Sequence, residues 1–431
     1  MQRIFTKEKR NVASSASTSV QSQKIKQSWK SKIGLILCTI LAGVLVSLSL
    51  VWWFWEEPLL SPINSLTTFR FLGESELAPK SDKIVYGFLP YWNINQVSIH
   101  PELTHLAYFA LTIGPDGNLI TRLDDSAEPG YNRLTSEEFL ELSSVMSRRG
   151  GSTELVLSQF NADDITNFLS SETAQNQLLL SLDSILLAYP VSGINIDIEM
   201  SGKTTPELRA NLTKFMKNLR THLNTKYDQV QLSIDMYAGA ASSPQLWEVA
   251  EIAPHVDYIV VMAYDFHQRT SPMAGPVAPL FGGQELWDSD INQHLQTFSE
   301  IVPPEKLLLG IPFYGYEWQT TSRDSQSHTF PDSGSTASIR RVNELLSKKE
   351  EFQVQEHWNE AALSPYLSYT ENDELYVIYY ENSRSISYKL DYVNQLDLGG
   401  IAIWALGYEG DSRELWDVIN TKMLLSPARD Q

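Results

Sequence analysis

The stretch SGINIDIE, residues 192–199, decides the fold, because its polar side chains alternate strictly with isoleucines. Side chains of a strand point alternately to its two faces, so Asn195, Asp197 and Glu199 share one face and the isoleucines share the other. A buried carboxylate is costly unless it is paired, hydrogen-bonded or protonated. Two carboxylates on a face that apolar packing could fill therefore indicate chemistry. An amphipathic edge strand with its polar face in water is the alternative interpretation.

Short apolar runs recur on both sides of this stretch, with amphipathic segments between them. The predicted strands are, in chain order, 84–89, 105–111, 154–157, 193–198, 231–236, 258–263, 307–311 and 400–404. Residues 174–187, 206–223 and 290–301 have the apolar spacing of helices. Eight strand–helix units predict an α/β fold, a closed (β/α)8 TIM barrel, with functional residues at the C-terminal ends of its strands. An open doubly wound sheet is the alternative.

The seventh and eighth predicted strands lie too far apart for a single helix between them. Residues 318–392 contain a helical pattern at 338–348 and strand-like runs at 362–370 and 375–380. They predict a small α+β insertion on the functional rim, since it leaves from the C-terminal end of a strand. The barrel with its insertion is predicted to span residues 81–431.

An apolar run near the start of the chain, residues 33–55, has no charged side chain and is long enough for one transmembrane helix. Residues 1–32 hold eight Lys and Arg against one acid, so the positive-inside rule predicts a basic cytoplasmic tail and an extracytoplasmic barrel. A single-pass protein of the cell membrane is therefore expected, and a cleaved signal peptide is the alternative. Residues 56–80, rich in Pro and Ser, are predicted to be a linker.

Charge and cysteine content exclude several classes of function. The chain has a formal net charge of −19 although its first 32 residues are basic, so the exported part is strongly acidic. Such a surface disfavours nucleic acid and suits a neutral or cationic ligand. Cys38, the single cysteine, lies in the apolar run, so the exported part has no disulfide. No Cys/His cluster and no glycine-rich phosphate loop occurs, so neither a metal nor another cofactor is expected.

Aromatic side chains gather at the predicted strand ends, beside the two carboxylates. Pyranose rings offer apolar C–H faces for stacking and hydroxyls for hydrogen bonds, so this combination indicates a sugar site. Tyr108 and Phe109 are interpreted as barrel core, and Trp318 is equally consistent with bracing the insertion. The candidate sugar-binding residues are Tyr91, Trp92, Met262, Tyr316, Trp318 and Trp404.

At these positions the chain resembles glycoside hydrolase family 18, the family of chitinases and related N-acetylglucosaminidases. The family's D-G-x-D-x-D-x-E signature is similar to residues 192–199, its M-x-Y-D to 262–265, its G-x-P-x-Y-G to 310–315 and its G-G-x-x-x-W to 399–404. The resemblance covers about residues 83–422. It implies retaining hydrolysis assisted by the substrate's own acetamido group, with an N-acetylglucosamine-containing glycan as the partner.

The resemblance also implies roles for individual residues. Glu199 is the general acid and base, Asp197 orients the acetamide nitrogen, and Tyr264 hydrogen-bonds the acetamide oxygen. Asp265 tunes the pocket, and Trp404 forms the floor under the sugar. The candidate catalytic residues are Glu199, Asp197, Tyr264, Asn195 and Asp265.

Two positions depart from the family signature, since Ser192 and Asn195 stand where it has aspartates. An Asn still donates or accepts a hydrogen bond but removes a charge, so the coupling between neighbouring acids should weaken. The variant GINIDIE resembles a branch linked to bacterial peptidoglycan and spore cortex, which favours cell-wall glycan over crystalline chitin. A sugar-binding pseudoenzyme is the alternative to a glycosidase, and a barrel that only holds partners is a further one. We expect a monomer.

Overall fold

The computed structural model describes residues 82–243 and 245–424, the pair Leu60–Ser61 and five single positions between 39 and 46. The predicted basic tail at 1–32, most of the predicted anchor at 33–55 and most of the linker lie outside the described residues. Among the described residues, no helix is both long enough and apolar enough to cross a membrane. The anchor therefore stays a prediction.

Eight parallel strands form a closed barrel, numbered here one to eight in chain order. The first strand pairs with the second on one side, where Tyr86 lies opposite His105, and with the eighth on the other, where Ile84 lies opposite Gly400. The strands are Ile84–Pro90, His105–Thr112, Ser152–Gln159, Gly193–Ile198, Gln231–Tyr237, Tyr258–Met262, Leu307–Pro312 and Gly400–Trp404. All eight predicted strands are confirmed. The open-sheet alternative is wrong, because an open sheet would leave two unpaired edges.

Helices cover the outside of the barrel. The longest helix in the described part of the chain, Pro206–Lys226, begins where the Thr205 hydroxyl accepts the N–H of Leu208. Its proline presets the first helical φ. Its buried residues recur every three or four positions, so one face packs on the strands. The other α-helices between residues 82 and 424 are Pro129–Leu134, Glu137–Arg148, Ala162–Ser170, Glu172–Ala188, Val249–Ile252, Ile291–Ile301, Ile339–Ser347, Ser383–Gln395 and Glu414–Ile419. The three helices predicted between barrel strands are confirmed.

A five-stranded antiparallel sheet lies between the seventh and eighth barrel strands. In spatial order its strands are Ser335–Ser338, Tyr314–Thr320, Glu374–Tyr379, Ser364–Glu371 and Gln355–Asn359, and the helix Ile339–Ser347 belongs to it. This insertion begins at Tyr314, earlier than the predicted boundary at 318. The helix Ser383–Gln395, which lies mostly inside the predicted insertion, packs against the eighth barrel strand and covers the barrel.

The fourth strand is buried on both faces. Ile194, Ile196 and Ile198 are at most 1% exposed and pack into the core that the helices share with the barrel. Burying each of these side chains contributes about 1.5–3 kcal/mol to stability. Asn195 and Asp197 are also buried, on the inward face. The edge-strand interpretation is therefore wrong, because the polar face meets the barrel interior and not water.

The two described residues of the predicted linker contact the barrel. Ser61 is buried, and its backbone N–H donates to the Ser387 hydroxyl at 2.8 Å. Lys422 donates to the Ser61 carbonyl oxygen at 3.2 Å and forms a buried ion pair with Asp391 at 3.1 Å. Leu60 and Ser61 are thus packed on the barrel surface.

A glycine is required at position 193 because a larger residue would collide with Glu154. Gly193 lies opposite Glu154 on the third strand, and a Cβ atom at Gly193 would stand 2.6 Å from Glu154 Cγ. We predict that Gly193→Ala lowers the free energy of unfolding by about 1–3 kcal/mol, the usual cost of overpacking, as measured by urea denaturation. The loss should be much smaller in a Glu154→Ala background. Equal losses in the two backgrounds would contradict the steric explanation.

Candidate active site

Glu199 and Asp197 lie at the C-terminal end of the fourth strand, in the mouth of the barrel. The backbone N–H of Glu199 donates to the Gln159 carbonyl at 3.1 Å, which extends the pairing with the third strand as far as this acid. Asp197 is 3% exposed, and its side chain hydrogen-bonds with that of Glu199. The hydroxyl of Tyr237, at the end of the fifth strand, also donates to Glu199. The two carboxyl groups thus form one hydrogen-bonded pair.

The surroundings of this pair favour its protonated form. Burial raises the pKa of the Glu199 carboxyl, the hydrogen bonds from Tyr237 and Asp197 lower it, and the charge of Asp265 raises it again. Burial also raises the pKa of Asp197 well above its ordinary value, and the charges of Asp235 and Glu199 add to this effect. Two acids so close together are not both charged at low cost, so the pair retains a proton. A carboxyl that keeps its proton in a cleft is suited to general acid catalysis.

Asn195, two residues before Asp197, faces the barrel interior and is fully buried. Its Nδ2 donates to the Ser233 hydroxyl at 3.0 Å and to Asp235 Oδ1 at 2.8 Å, both on the fifth strand. The Ser233 hydroxyl in turn donates to Glu154 Oε2 at 2.9 Å. Asn195 therefore joins two buried acids through its amide and contributes no charge of its own.

The loop after the sixth strand carries Tyr264 and Asp265, and Met262 is the last residue of that strand. Asp265 has a φ of 61°, in the left-handed region that Asp tolerates better than most residues. The hydroxyls of Tyr314 and Tyr316 in the insertion both donate to Asp265 Oδ1, the second at 3.0 Å. Burial raises the pKa of Tyr264, and the surrounding carboxylates raise it further. The Tyr264 hydroxyl therefore stays protonated and available as a donor.

A row of aromatic rings extends across the barrel mouth from Trp404. The centroid of the Phe109 ring is 4.6 Å from that of Trp404, 6.2 Å from Trp92 and 6.4 Å from Phe160. Trp92 and Phe160 are 47% and 52% exposed, and Tyr91 packs edge-on against Trp92. The row offers ring faces to a ligand. Phe109, interpreted from the sequence as core, belongs to this row.

Residues 74–409 match the sequence profile of the family described as "Glycosyl hydrolases family 18". The matched segment makes up most of the chain and contains every candidate catalytic residue. The chain belongs to glycosyl hydrolase family 18. The resemblance seen in the four motifs is confirmed, and with it the assignment of this protein to the glycosidases.

Two curated bacterial relatives are similar in sequence to this family 18 chain. The "Uncharacterized glycosylase YvbX" of Bacillus subtilis (strain 168) is 27% identical over 264 residues, which cover 60% of this chain and 70% of the relative. The "Cortical fragment-lytic enzyme" of Bacillus anthracis is 25% identical over 323 residues, which cover 72% of this chain and 66% of the relative. The chain thus matches about two thirds of the length of these relatives.

Solved family 18 structures share the fold. The Group IV chitinase of Ostrinia furnacalis, in complex with allosamidin, superposes with a TM-score of 0.68 at 21% identity and covers 79% of this chain and 98% of its own. The spore cortex-lytic enzyme SleL of Bacillus cereus superposes with a TM-score of 0.64 at 20% identity, with coverages of 82% and 76%. At such low identity the similarity concerns the fold alone.

The two departures from the family 18 signature lie in different places. Ser192 is exposed at the start of the fourth strand, opposite the mouth, and its hydroxyl accepts the N–H of Thr153 at 3.1 Å. Asn195 lies inside the barrel, in the hydrogen-bond network with Asp235. Only the second departure therefore bears directly on the carboxyl pair of Asp197 and Glu199.

Trp318 supports the insertion of this family 18 barrel. Its side chain is fully buried, its Nε1 donates to the Gln268 carbonyl at 3.1 Å, and its ring packs beside Tyr316 at 5.9 Å. The structure favours the bracing interpretation and leaves no open ring face for the predicted sugar contact. Tyr316 is 9% exposed, and its hydroxyl is used by Asp265, so its predicted contact with substrate stays a prediction.

Three polar residues of the site are not among the predicted ones: Glu154, Asp235 and Tyr237. A signal for two of them exists in the fifth strand, QLSIDMY, residues 231–237, which alternates polar and apolar side chains as the fourth strand does. Glu154 is a lone acid at the start of an apolar run, and such a position is compatible with a solvated strand end. The sequence therefore carries a pattern for Asp235 and Tyr237 but none for Glu154.

Glu154 makes the stability of the barrel depend on pH. Burial raises its pKa to about 7, although hydrogen bonds from Tyr86 and Ser233 partly oppose this effect. A Glu in the unfolded chain titrates near 4.3. Between these two pKa values the folded protein holds a proton that the unfolded chain has lost. This contribution to stability is complete below about pH 4.3 and is lost as pH rises through about 7.

We predict that Glu154→Gln removes this part of the pH dependence, because an amide does not titrate. Relative to the wild type, the variant should gain about 3 kcal/mol in free energy of unfolding between pH 4 and pH 8. Urea denaturation at a series of pH values measures this difference. Parallel pH profiles of the two proteins would contradict the assignment of the titration to Glu154.

Proposed function

We propose that this family 18 chain is a membrane-anchored glycosidase that cleaves β-linked N-acetylglucosamine glycans with retention of configuration. The substrates are peptidoglycan strands or chitin-type oligomers. The observation that carries the proposal is the hydrogen-bonded pair of Glu199 and Asp197 in the barrel mouth, with Tyr264 and Trp404 at the same end. The nucleophile is the acetamido group of the substrate, so the protein supplies none.

In the first step, Glu199 donates its proton to the glycosidic oxygen while the bond from that oxygen to the anomeric carbon breaks. The acetamido oxygen bonds to the anomeric carbon from the other side and closes an oxazolinium ring. The buried position of Glu199 supports this role, because it raises the pKa of the carboxyl and keeps the proton in place until the leaving oxygen needs it.

Asp197 and Tyr264 hold the acetamido group during this step. Asp197 accepts a hydrogen bond from the acetamide N–H, and its negative charge offsets the positive charge of the oxazolinium ring. The proton shared by the carboxyl pair resides on Glu199 when Asp197 turns to the substrate. Tyr264 donates its hydroxyl to the acetamide oxygen and fixes the direction of attack.

Water completes the reaction. Glu199, now a carboxylate, takes a proton from a water molecule, the water oxygen bonds to the anomeric carbon, and the oxazolinium ring opens to regenerate the acetamide. Two inversions at the anomeric carbon give net retention. Glu199 ends the cycle protonated, as it was just before it donated to the glycosidic oxygen.

Two observations favour bacterial cell-wall glycan among the substrates. The Asn-containing signature GINIDIE and the similarity to the cortical fragment-lytic enzyme of Bacillus anthracis both point to this class. Similarity to the "Di-N-acetylchitobiase" of Homo sapiens, at 26% identity over 262 residues, supports chitin-type oligomers as the other substrate. Incubating the full-length protein in detergent with peptidoglycan and with chitooligosaccharides, followed by mass spectrometry of the products, distinguishes the two. Glycans that bind but stay uncut would favour the sugar-binding pseudoenzyme.

The location follows from the N-terminal sequence. We place the barrel outside the cytoplasmic membrane, held by the apolar run 33–55 with the basic residues 1–32 in the cytoplasm. Immunoblots of membrane and secreted fractions should find the full-length protein in the membrane. A shortened product found only in the medium would identify the apolar run as a cleaved signal peptide.

We predict that Glu199→Gln lowers kcat by about 10²–10⁴-fold, because an amide cannot protonate the leaving oxygen. Binding of a chitooligosaccharide, measured by calorimetry, should change little, since the side chain keeps its shape. The control is Asp183→Asn, which removes a hydrogen-bonded carboxylate on the outer helix Glu172–Ala188. Equal turnover by Glu199→Gln and wild type would exclude Glu199 as the acid.

We predict that Phe160→Ala raises KM for long oligomers about fivefold and leaves short substrates unaffected. The exposed ring of Phe160 lies at the far end of the aromatic row from Trp404, and loss of one such contact costs about 1 kcal/mol. The matched control is Leu187→Ala, which removes an 81% exposed apolar side chain from an outer helix. A KM that rises equally for short and long substrates would contradict a role for Phe160 in binding distant sugars.

A further inference from the structure

Asp235 lies on the fifth strand, next to Asn195 on the fourth. Its carboxylate contacts the side chain at the position where the family signature has an aspartate. It is 3% exposed, and its Oδ1 accepts the Nδ2 of Asn195 at 2.8 Å. Asn195 is the residue that stands where the family signature has its middle Asp. The carboxylate absent from position 195 is therefore present one strand away, in direct contact with the residue that replaced it.

The hydrogen bond to Asp235 fixes the orientation of the Asn195 amide. Within the described part of the chain, Asn195 makes both of its side-chain hydrogen bonds through Nδ2, to Asp235 and to the Ser233 hydroxyl, so the amide oxygen points to the other side. Asn195 Oδ1 and Asp197 Oδ1 are both buried and have no hydrogen-bond partner among the residues that the structure describes. An amide oxygen only accepts, so Asp197 pairs with it only while Asp197 carries a proton.

We propose that Asp235 is a positioning residue that replaces the signature's missing carboxylate and controls the proton and rotation of Asp197 through the Asn195 amide. This inference rests on the proposed function, because Asp197 must turn from its resting contacts to the substrate's acetamide. With Asp235 in place, the Asn195 amide oxygen accepts a hydrogen bond from protonated Asp197 before the substrate binds. When the proton is on Glu199, the Asp197 carboxylate can no longer donate to the Asn195 amide oxygen and turns toward the acetamide.

The groups around Asp235 support this arrangement. The titratable side chains that face it are Glu154 on the third strand, Asp197 and Glu199 on the fourth, Tyr86 on the first and Tyr264 after the sixth. All of them are acids or phenols. Burial raises the pKa of Asp235, the hydrogen bond from Asn195 opposes this, and the charges of Glu199 and Glu154 raise it further. The cluster therefore shares few negative charges among several acids, and removing one acid redistributes the protons of the rest.

The test compares three variants in the full-length protein: Asp235→Asn, Asn195→Asp, and the exchange Asn195→Asp/Asp235→Asn. Asp235→Asn should lower kcat at least tenfold with little change in KM, and move the basic limb of the pH–rate profile toward acid. The exchange variant should recover most of the activity and the wild-type profile, because it restores one carboxylate to the pair of positions. Asn195→Asp alone adds an acid and should move the basic limb toward alkaline pH.

Two results would overturn the inference. The first is a wild-type pH profile in Asp235→Asn. The second is an exchange variant that is no better than Asp235→Asn although circular dichroism shows both to be folded. If Asp235→Asn fails to fold, the comparison of the exchange variant with Asn195→Asp decides, and identical profiles of those two proteins would exclude the role.

Controls separate this inference from the proposed function. Asp183→Asn, which removes a carboxylate bonded to Tyr227 and His222 on the helical layer, should keep the wild-type profile. An inactive wild type, or a fully active Glu199→Gln, would refute the proposed function and with it the inference. An active wild type, an inactive Glu199→Gln and an unperturbed Asp235→Asn would refute the inference alone.

Discussion

Carboxyl groups inside a closed barrel must each keep a hydrogen bond or a proton, because the strands and the side chains around them exclude most water. Glu154, Asp197 and Asp235 are all at most 3% exposed, yet they lie close enough for their charges to interact. The network from Glu154 through Ser233 and Asn195 to Asp235 satisfies part of this demand with neutral donors. The carboxyl oxygens that this network leaves without a donor favour the protonated form of their acids. A general acid must retain its proton in the same way.

The same closure explains why the surrounding sequence is so apolar. The isoleucines of the fourth strand face the helices, and the lower part of the barrel interior is filled by rings and small residues such as Tyr86, Phe88 and Ala402. The buried acids Glu154, Asp235 and Asp197 thus lie in one column that rises from Glu154 to the mouth. Space in this column is limited, which is why Gly193 has no side chain beside Glu154. Packing therefore determines both where the acids are and how strongly they hold protons.

The eight strands were predictable because alternation and apolar runs are local properties of the chain, and the catalytic motifs stand at fixed places on those strands. Contacts between strands are not local, so the partners of Asn195 required the register of the barrel. Phe109 shows the limit of local reasoning, because the sequence does not tell which of two adjacent aromatic residues points into the barrel mouth. Phe109 does so, whereas Tyr108 is buried against Phe139. Trp318 shows the opposite case: it lies near a predicted cleft in the sequence, yet its side chain is fully buried.

The insertion affects the acids of the barrel mouth although it holds none of the candidate catalytic carboxylates. Burial raises the pKa of Asp265, and the hydrogen bonds from the hydroxyls of Tyr314 and Tyr316 partly oppose this effect by stabilising its charge. That charge is one of the causes that raise the pKa of Glu199. The left-handed backbone of Asp265 allows this contact from a loop that leaves the sixth strand. A change in how the insertion packs on the barrel therefore alters the pKa of Glu199, and this couples the rim of the barrel mouth to the proposed general acid.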